Sequence, residues 1–184
     1  MIRHLFILNP EAGIRNPVEE ATKRIKEAFI LNTHRTDETY DIVLTKKKGD
    51  ATKIVQKACR NNPGFTRIYA CGGDGTLNEV VSGAAGFSNA AVTVFSGGSG
   101  NDFVKIFDDP RAFFDLERLL DCQEATFDLL RCNDSYSLNI CSVGLDARIG
   151  TDVSNYKRIP LLSGFRAYAL STVINLFRGI SEHY

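Results

Sequence analysis

The chain has 184 residues, 43% of them hydrophobic and 24% charged, which fits a globular protein with its own core and argues against a fibre, a disordered tail or an integral membrane protein. Lys and Arg number 22, as do Asp and Glu, so no net field draws the chain to nucleic acid and any anion must be bound by local geometry.

From the N-terminus, strand-like and helix-like runs alternate to about residue 95. Strands are expected over 3–8, 40–45, 67–70 and 91–95, each short, apolar and rich in β-branched or aromatic residues, as in a parallel sheet covered on both faces. The intervening helices carry boundary signals. Asn16-Pro17-Val18-Glu19 offers an N-cap, a proline at the first helical position and an acid at the third, ahead of Ala21, Ile25, Ala28 and Phe29 at helical spacing. Asp50 is expected to cap a second helix with Ala51, Ile54, Val55 and Ala58 on one face, closed by Asn61-Asn62-Pro63-Gly64. A third is expected from Thr76, striped by Leu77, Val80, Val81 and Ala84. Repeated β-α-β units imply right-handed crossovers and a doubly wound sheet.

Beyond residue 100 the pattern changes. Residues 102–107 read as a short helix, and 110–120 as an amphipathic one through Phe113, Leu116, Leu119 and Leu120. Two β runs, 125–132 and 136–143, joined at Asn133-Asp134-Ser135, read as a hairpin and therefore as antiparallel pairing. A last helix is expected over 163–178. The expected fold is α/β, with a doubly wound, mostly parallel sheet over 1–124, then the start of a β-rich second domain over 125–184 that looks unfinished.

Five scattered cysteines without a C-x-x-C pair fit reduced thiols rather than disulfides or a zinc site. The apolar start meets Asn9-Pro10 too early for a signal peptide, and no run approaches the roughly 18 apolar residues of a membrane span, so a cytoplasmic location is expected.

Three glycine-bearing loops follow expected strands: Asn9-Pro10-Glu11-Ala12-Gly13, Gly72-Gly73-Asp74-Gly75-Thr76, and Gly97-Gly98-Ser99-Gly100-Asn101-Asp102. In an open α/β sheet, ligands sit beyond the carboxyl ends of the strands, where glycine permits close backbone approach and helix N-termini attract phosphate. Thr76 and Ser99 add hydroxyl donors. Asp74 would repel a phosphate unless a divalent cation stood between them, with Asp102 as a second carboxylate for the same ion. The plainer alternative makes both acids N-caps of ordinary turns. Neither a Walker lysine pattern nor a G-x-G-x-x-G at the first helix is present.

The run Gly72-Gly73-Asp74-Gly75-Thr76-Leu77-Asn78-Glu79-Val80-Val81 resembles the signature of the diacylglycerol kinase catalytic family, which includes bacterial lipid kinases and sphingosine kinases. Asn9–Gly13 is similar to that family's first motif, Thr45-Lys46-Lys47-Lys48-Gly49-Asp50-Ala51 to its T-x-x-x-G-D-A segment, and Gly98-Ser99-Gly100-Asn101-Asp102-Phe103 to its G-T-x-N-D-F motif. Leu138-Asn139-Ile140 through Gly144-Leu145-Asp146 is similar to a later stretch. Ser99 stands where threonine is usual, and Ser96-Gly97 where a proline-containing approach is common.

The resemblance implies a two-domain kinase, ATP- and Mg2+-dependent, that phosphorylates a lipid hydroxyl from the inner face of a membrane. It places nucleotide contacts on Asn9, Pro10, Glu11, Ala12, Gly13, Thr45, Gly72, Gly73, Asp74, Gly75, Thr76, Leu77, Asn78, Glu79 and Ser99. Asp74 and Asp102 would belong to a magnesium–water network, and Arg15 and Lys105 would face a lipid headgroup, or else be ordinary surface charges. The general base is expected beyond Tyr184, in a fragment of a longer kinase. The alternatives are an NAD kinase-like enzyme, which shares the Gly72–Thr76 core, and a non-catalytic nucleotide-binding module.

Lys46, Lys47 and Lys48 are either a solvated loop or an attraction for phosphate. His4, His34 and His183 share no spacing and read as structural or surface residues, Cys71 as a buried strand-end thiol, and Asp128 and Asp146 as weak site candidates. Leu161, Leu162, Phe165, Tyr168, Leu170, Val173, Ile174, Leu176 and Phe177 are too many apolar side chains for one surface helix, so self-association is expected, with weak nucleotide affinity and no turnover by the 184-residue chain.

Overall fold

The computed structural model describes residues 2–12, 17–32, 34–95, 101–156 and 165–177. The chain divides into two compact units, Met1–Asn139 and Ile140–Tyr184.

In the first unit, β1 (Ile2–Leu8), β2 (Glu38–Leu44), β3 (Phe65–Cys71) and β4 (Ala90–Val94) form a parallel sheet in the order β2-β1-β3-β4. Helices α1 (Pro17–Leu31), α2 (Asp50–Asn61) and α3 (Asp74–Ala84) connect them. The first crossover runs to one side of β1 and the next two to the other. Right-handedness therefore puts α1 on one face and α2 with α3 on the opposite face. Both faces of the central strands are covered, so Leu5, Phe6, Ile7 and Leu8 are all buried in succession, between Ile25 and Ala28 of α1 and Val55 and Val80 of α2 and α3. Leu8 pairs with both Leu44 and Cys71, so these strands end level and their following loops leave from one edge.

Two helices approach closely where α3 has a glycine. A Cβ on Gly83 would stand 2.7 Å from the Thr52 carbonyl oxygen and 2.9 Å from Val55 Cβ. At the opposite end of the sheet, His4 is fully buried between Tyr69 and Glu38. Glu38 accepts from Arg35 at 2.8 Å, and Arg35 also pairs with Asp121. A carboxylate only accepts, so Nε2 of His4 carries the proton to Glu38 and Nδ1 accepts from the Tyr69 hydroxyl. Burial, opposed by Glu38, pulls the imidazole down to about 4.

Several expected elements differ. Residues 102–107 form a 3₁₀ turn over Phe103–Ile106, and 110–120 splits into a 3₁₀ turn, Pro110–Phe114, and α4 (Leu116–Asp121). The break falls at Asp115, whose side chain accepts from the Arg118 N–H and starts a new helix. The hairpin exists, but its strands shrink to β5 (Leu130–Cys132) and β6 (Ser135–Ser137) around a two-residue turn in which Asn133 takes φ +53°. Residues 123–128 are exposed, with no partner strand among the described residues, so they do not extend the ladder. This hairpin falls within the first unit.

The second unit pairs α5 (Leu145–Tyr156) with α6 (Phe165–Phe177). Helix α5 was not expected from its sequence. It contains Gly150, Thr151 and Asp152, which are poor helix formers, and it is held by packing of Ile149 and Val153 and by bonds to α6. Ser171 Oγ donates to the Ile149 carbonyl at 2.9 Å, and Asn175 Nδ2 to Asp152 at 3.1 Å. Tyr168, Val173, Leu176 and Phe177 are exposed. The expected cap Asn16, His183, and Leu161 and Leu162 lie outside the described residues, as does the side chain of Phe165.

Candidate active site

The strand order turns back between β1 and β3, which makes the crevice at their carboxyl ends the place for a ligand. Asn9 leaves β1 there. Its N–H donates to the Cys71 carbonyl at 3.0 Å, prolonging the ladder by one residue. Its Oδ1 accepts from the Glu11 N–H and its Nδ2 donates to Thr76 Oγ1, both at 3.0 Å. One amide thus shapes the first loop and joins it to the second. Thr76 is buried, and its hydroxyl retains a proton for a further bond.

Gly72 admits no side chain, because a Cβ would lie 2.7 Å from Thr76 Cβ and nearer still to its hydroxyl, where the first turn of α3 folds back on the strand end. The Gly72 carbonyl accepts from Asn101 Nδ2 at 3.0 Å. Asn101 is 3% exposed, and its Oδ1 has no hydrogen-bond partner among the described residues. Helix α3 starts at Asp74, two residues earlier than expected, after Gly73 as N-cap with no side-chain bond to the first turn. The Asp74 carboxylate accepts from the Asp102 N–H at 2.8 Å. Asp102 makes no cap bond either; its carboxylate pairs with Lys105 and holds that ammonium above its usual range. The N-cap alternative for the two acids is therefore not what the side chains do. Around Gly75 nothing stands within 4 Å of where a Cβ would be, so the chain's own packing does not require that glycine.

The next strand end is tied in as well. Thr45 N–H donates to the Leu8 carbonyl at 2.9 Å. Contrary to expectation, Asp50 does not cap α2. Gly49 is the N-cap at φ +86°, and the Asp50 carboxylate accepts from the Lys46 and Lys47 N–H groups at 2.9 and 3.1 Å, folding the preceding loop. Glu79 Oε1 accepts from the Gly49 N–H at 2.8 Å, and Thr52 donates to the Glu79 carbonyl at 2.9 Å. Glu79 thereby joins α3 to the start of α2.

The structure thus brings Asn9, Thr45, Gly72, Gly73, Asp74, Gly75, Thr76, Asn101 and Asp102 to one edge. The Leu77 side chain is 3% exposed and belongs to the core, so only its backbone can reach a ligand there. Pro10, Glu11, Lys46, Lys47 and Lys48 are exposed, and Ala12 and Asn78 half-buried. Gly13, Arg15 and Ser99, with the Ser96–Gly100 stretch, lie outside the described residues. Burial pushes the Cys71 thiol up, consistent with an inert strand-end residue. Asp128 and Asp146 are both exposed, and no group of three or more His, Cys, Asp or Glu converges as a metal cluster among the described residues. Asn101 was given no role on sequence grounds; the signals were its place beside Asp102 in the third loop and its match to the asparagine of the G-T-x-N-D-F motif.

Residues 3–132 match the family model described as the diacylglycerol kinase catalytic domain. A protein named "Putative lipid kinase" from Staphylococcus carnosus is 33% identical over 121 residues, covering 63% of this chain and 40% of the relative. A relative of the same name from Staphylococcus epidermidis is 31% identical over 141 residues, covering 74% of this chain and 45% of its own length. The crystal structure titled "a putative diacylglycerol kinase" from Bacillus anthracis superposes with a TM-score of 0.60 at 26% identity, covering 85% of this chain and 55% of that one. The chain spans about half the length of these relatives or less.

Proposed function

Because the chain belongs to the diacylglycerol kinase catalytic domain family, we propose that it forms the nucleotide-binding part of an ATP- and Mg2+-dependent lipid kinase, which transfers the γ-phosphate to a lipid hydroxyl. The observation that carries this reading is the junction of three loops at the switch point, where an uncapped helix N-terminus, an unobstructed Gly75 and two adjoining acids meet. The α3 N–H groups, with the positive end of its dipole, would face the phosphates, and Gly75 leaves the space for them.

Asp74 and Asp102 are hard oxygen donors, and two carboxylates suit Mg2+ when phosphate and water complete its shell. They would hold the ion, which when bound neutralises phosphate charge. For this, the Asp102 carboxylate exchanges its Lys105 partner, an exposed pair of small worth. Asn9 and Asn101 fix the second loop from either side, through Thr76 and the Gly72 carbonyl, so that the backbone donors need no reorganisation. Lys105 and Arg15 would face the lipid headgroup, at a membrane surface reached from the cytoplasm. No helix among the described residues is long and apolar enough to cross a membrane.

The test is transfer from radiolabelled ATP, by the whole natural protein with Mg2+, to diacylglycerol or sphingosine in mixed micelles, with NAD offered as competing acceptor. Label in the lipid phase is expected. Label on NAD, or none on lipid, overturns the proposal.

A further inference from the structure

We propose that the side-chain oxygen of Asn101 faces the divalent cation of the phosphate edge, beside the Asp74 and Asp102 carboxylates, and bonds the ion or a water in its shell; this rests on the Mg·ATP reading above. Asn101 is 3% exposed, and its Oδ1 is buried without a hydrogen-bond partner among the described residues. The other end of the amide sets its orientation. Nδ2 donates to the Gly72 carbonyl at 3.0 Å, and an amide turned over would set two acceptors against each other. Oδ1 is therefore the atom left over. A buried acceptor without a partner costs free energy, which a ligand that pairs with it returns.

The chemistry of the atom and its neighbours selects the ligand. Asn101 ties together the two loops that carry the acids: its Nδ2 holds Gly72, two residues before Asp74, and the next residue, Asp102, donates its N–H to the Asp74 carboxylate at 2.8 Å. An amide oxygen only accepts, so a phosphate oxygen cannot satisfy it. It requires a donor or a cation. Lys105 is the cation paired at this junction, and its ammonium is exposed and bound to Asp102. A neutral, hard oxygen next to two carboxylates suits a divalent cation that takes oxygen ligands and keeps part of its water. Being uncharged, it adds a ligand without the repulsion that a third carboxylate would exert on a triphosphate. The two ends of the side chain thus do different things. Nδ2 props the second loop whether or not metal is bound, whereas Oδ1 acts only when the cation is present.

The test is the coupling between metal and nucleotide, measured by calorimetry on the full 184-residue chain as the ratio of ATP affinities with Mn2+ and without metal. In Asn101→Ala the ratio should fall about tenfold, as for a lost hydrogen bond to a charged group. A strut alone would weaken both affinities alike and leave the ratio unchanged. Asn101→Asp returns an oxygen but cannot, when ionised, donate to Gly72, so its ratio should stand at or above the native value. An unchanged ratio in the alanine variant, or an aspartate variant as low as alanine, overturns the inference. If thermal melts show that neither variant folds, the native chain with 15N-labelled asparagine decides. Mn2+·ATP should broaden the Asn101 side-chain amide signal at lower occupancy than that of Asn9, and leave sharp that of Asn62, which precedes β3 at the far end of the sheet. An Asn101 signal that fades no sooner than that of Asn9 overturns the inference. Metal-dependent ATP binding with any of these contrary results removes Asn101 alone; a native chain whose ATP affinity ignores metal brings down the Mg·ATP reading and this inference with it.

Discussion

Protonating His4, which lies at the end of the sheet opposite the proposed site, should destabilise this protein. The imidazole is fully buried, hydrogen-bonded to Tyr69 at 2.9 Å and Glu38 at 3.0 Å, and its value falls from 6.5 to about 4, chiefly because burial disfavours the cation. The unfolded chain takes up a proton near 6.5, whereas the folded chain resists until about 4. Stability from this group is therefore complete above the unfolded value and is lost as pH falls through that window. One pKa unit corresponds to about 1.4 kcal/mol, so the full span is about 3 kcal/mol, of which about 2 kcal/mol disappears between pH 7 and pH 5. Glu38 acts in the same direction: despite its burial, Arg35 and His4 hold its carboxyl below the usual range, so acid removes that contribution as well. The assay is urea unfolding at successive pH values for the native chain and for His4→Gln. The variant starts less stable, but its stability should fall less steeply between pH 6.5 and 5, a difference of about 2 kcal/mol at the lower end. Parallel slopes would refute the claim that His4 is held neutral.

Asp74→Asn should keep the fold but lose Mg2+-dependent ATP binding; calorimetry with and without Mg2+ reads this, and unchanged metal dependence reduces Asp74 to a partner of the Asp102 N–H. Asn101→Ala removes the donor to the Gly72 carbonyl and should cost about 1 kcal/mol of stability while weakening nucleotide binding, read by melting and titration together. Gly83→Ala should destabilise by about 1–3 kcal/mol, because the clash with Thr52 and Val55 outweighs the better helix propensity; a urea midpoint equal to or above that of the parent would contradict it. The exposed apolar side of α6 should make the 184-residue chain self-associate, and light scattering showing a clean monomer would count against that.

The parallel sheet and its three crossovers were legible in the chain alone, because short apolar runs such as Leu5–Leu8 alternate with helical stripes such as Leu77, Val80 and Val81, and two periods of burial leave little choice of layer. The glycine loops were legible as well, since backbone conformations and motif order are written locally. Which side chains those loops spend on themselves was not. Glu79 holding Gly49, Asp74 meeting the Asp102 N–H and Asn101 gripping Gly72 all join residues brought together by strand ends at one level. A hydrogen bond depends on a partner within about 3 Å, and sequence spacing carries no such distance between separate loops. Helix α5 shows the same limit in packing: its propensity is poor, and burial of Ile149 and Val153, with the bonds from Ser171 and Asn175 of α6, holds it as a helix, because most helical stability comes from tertiary packing rather than from the residues that form it.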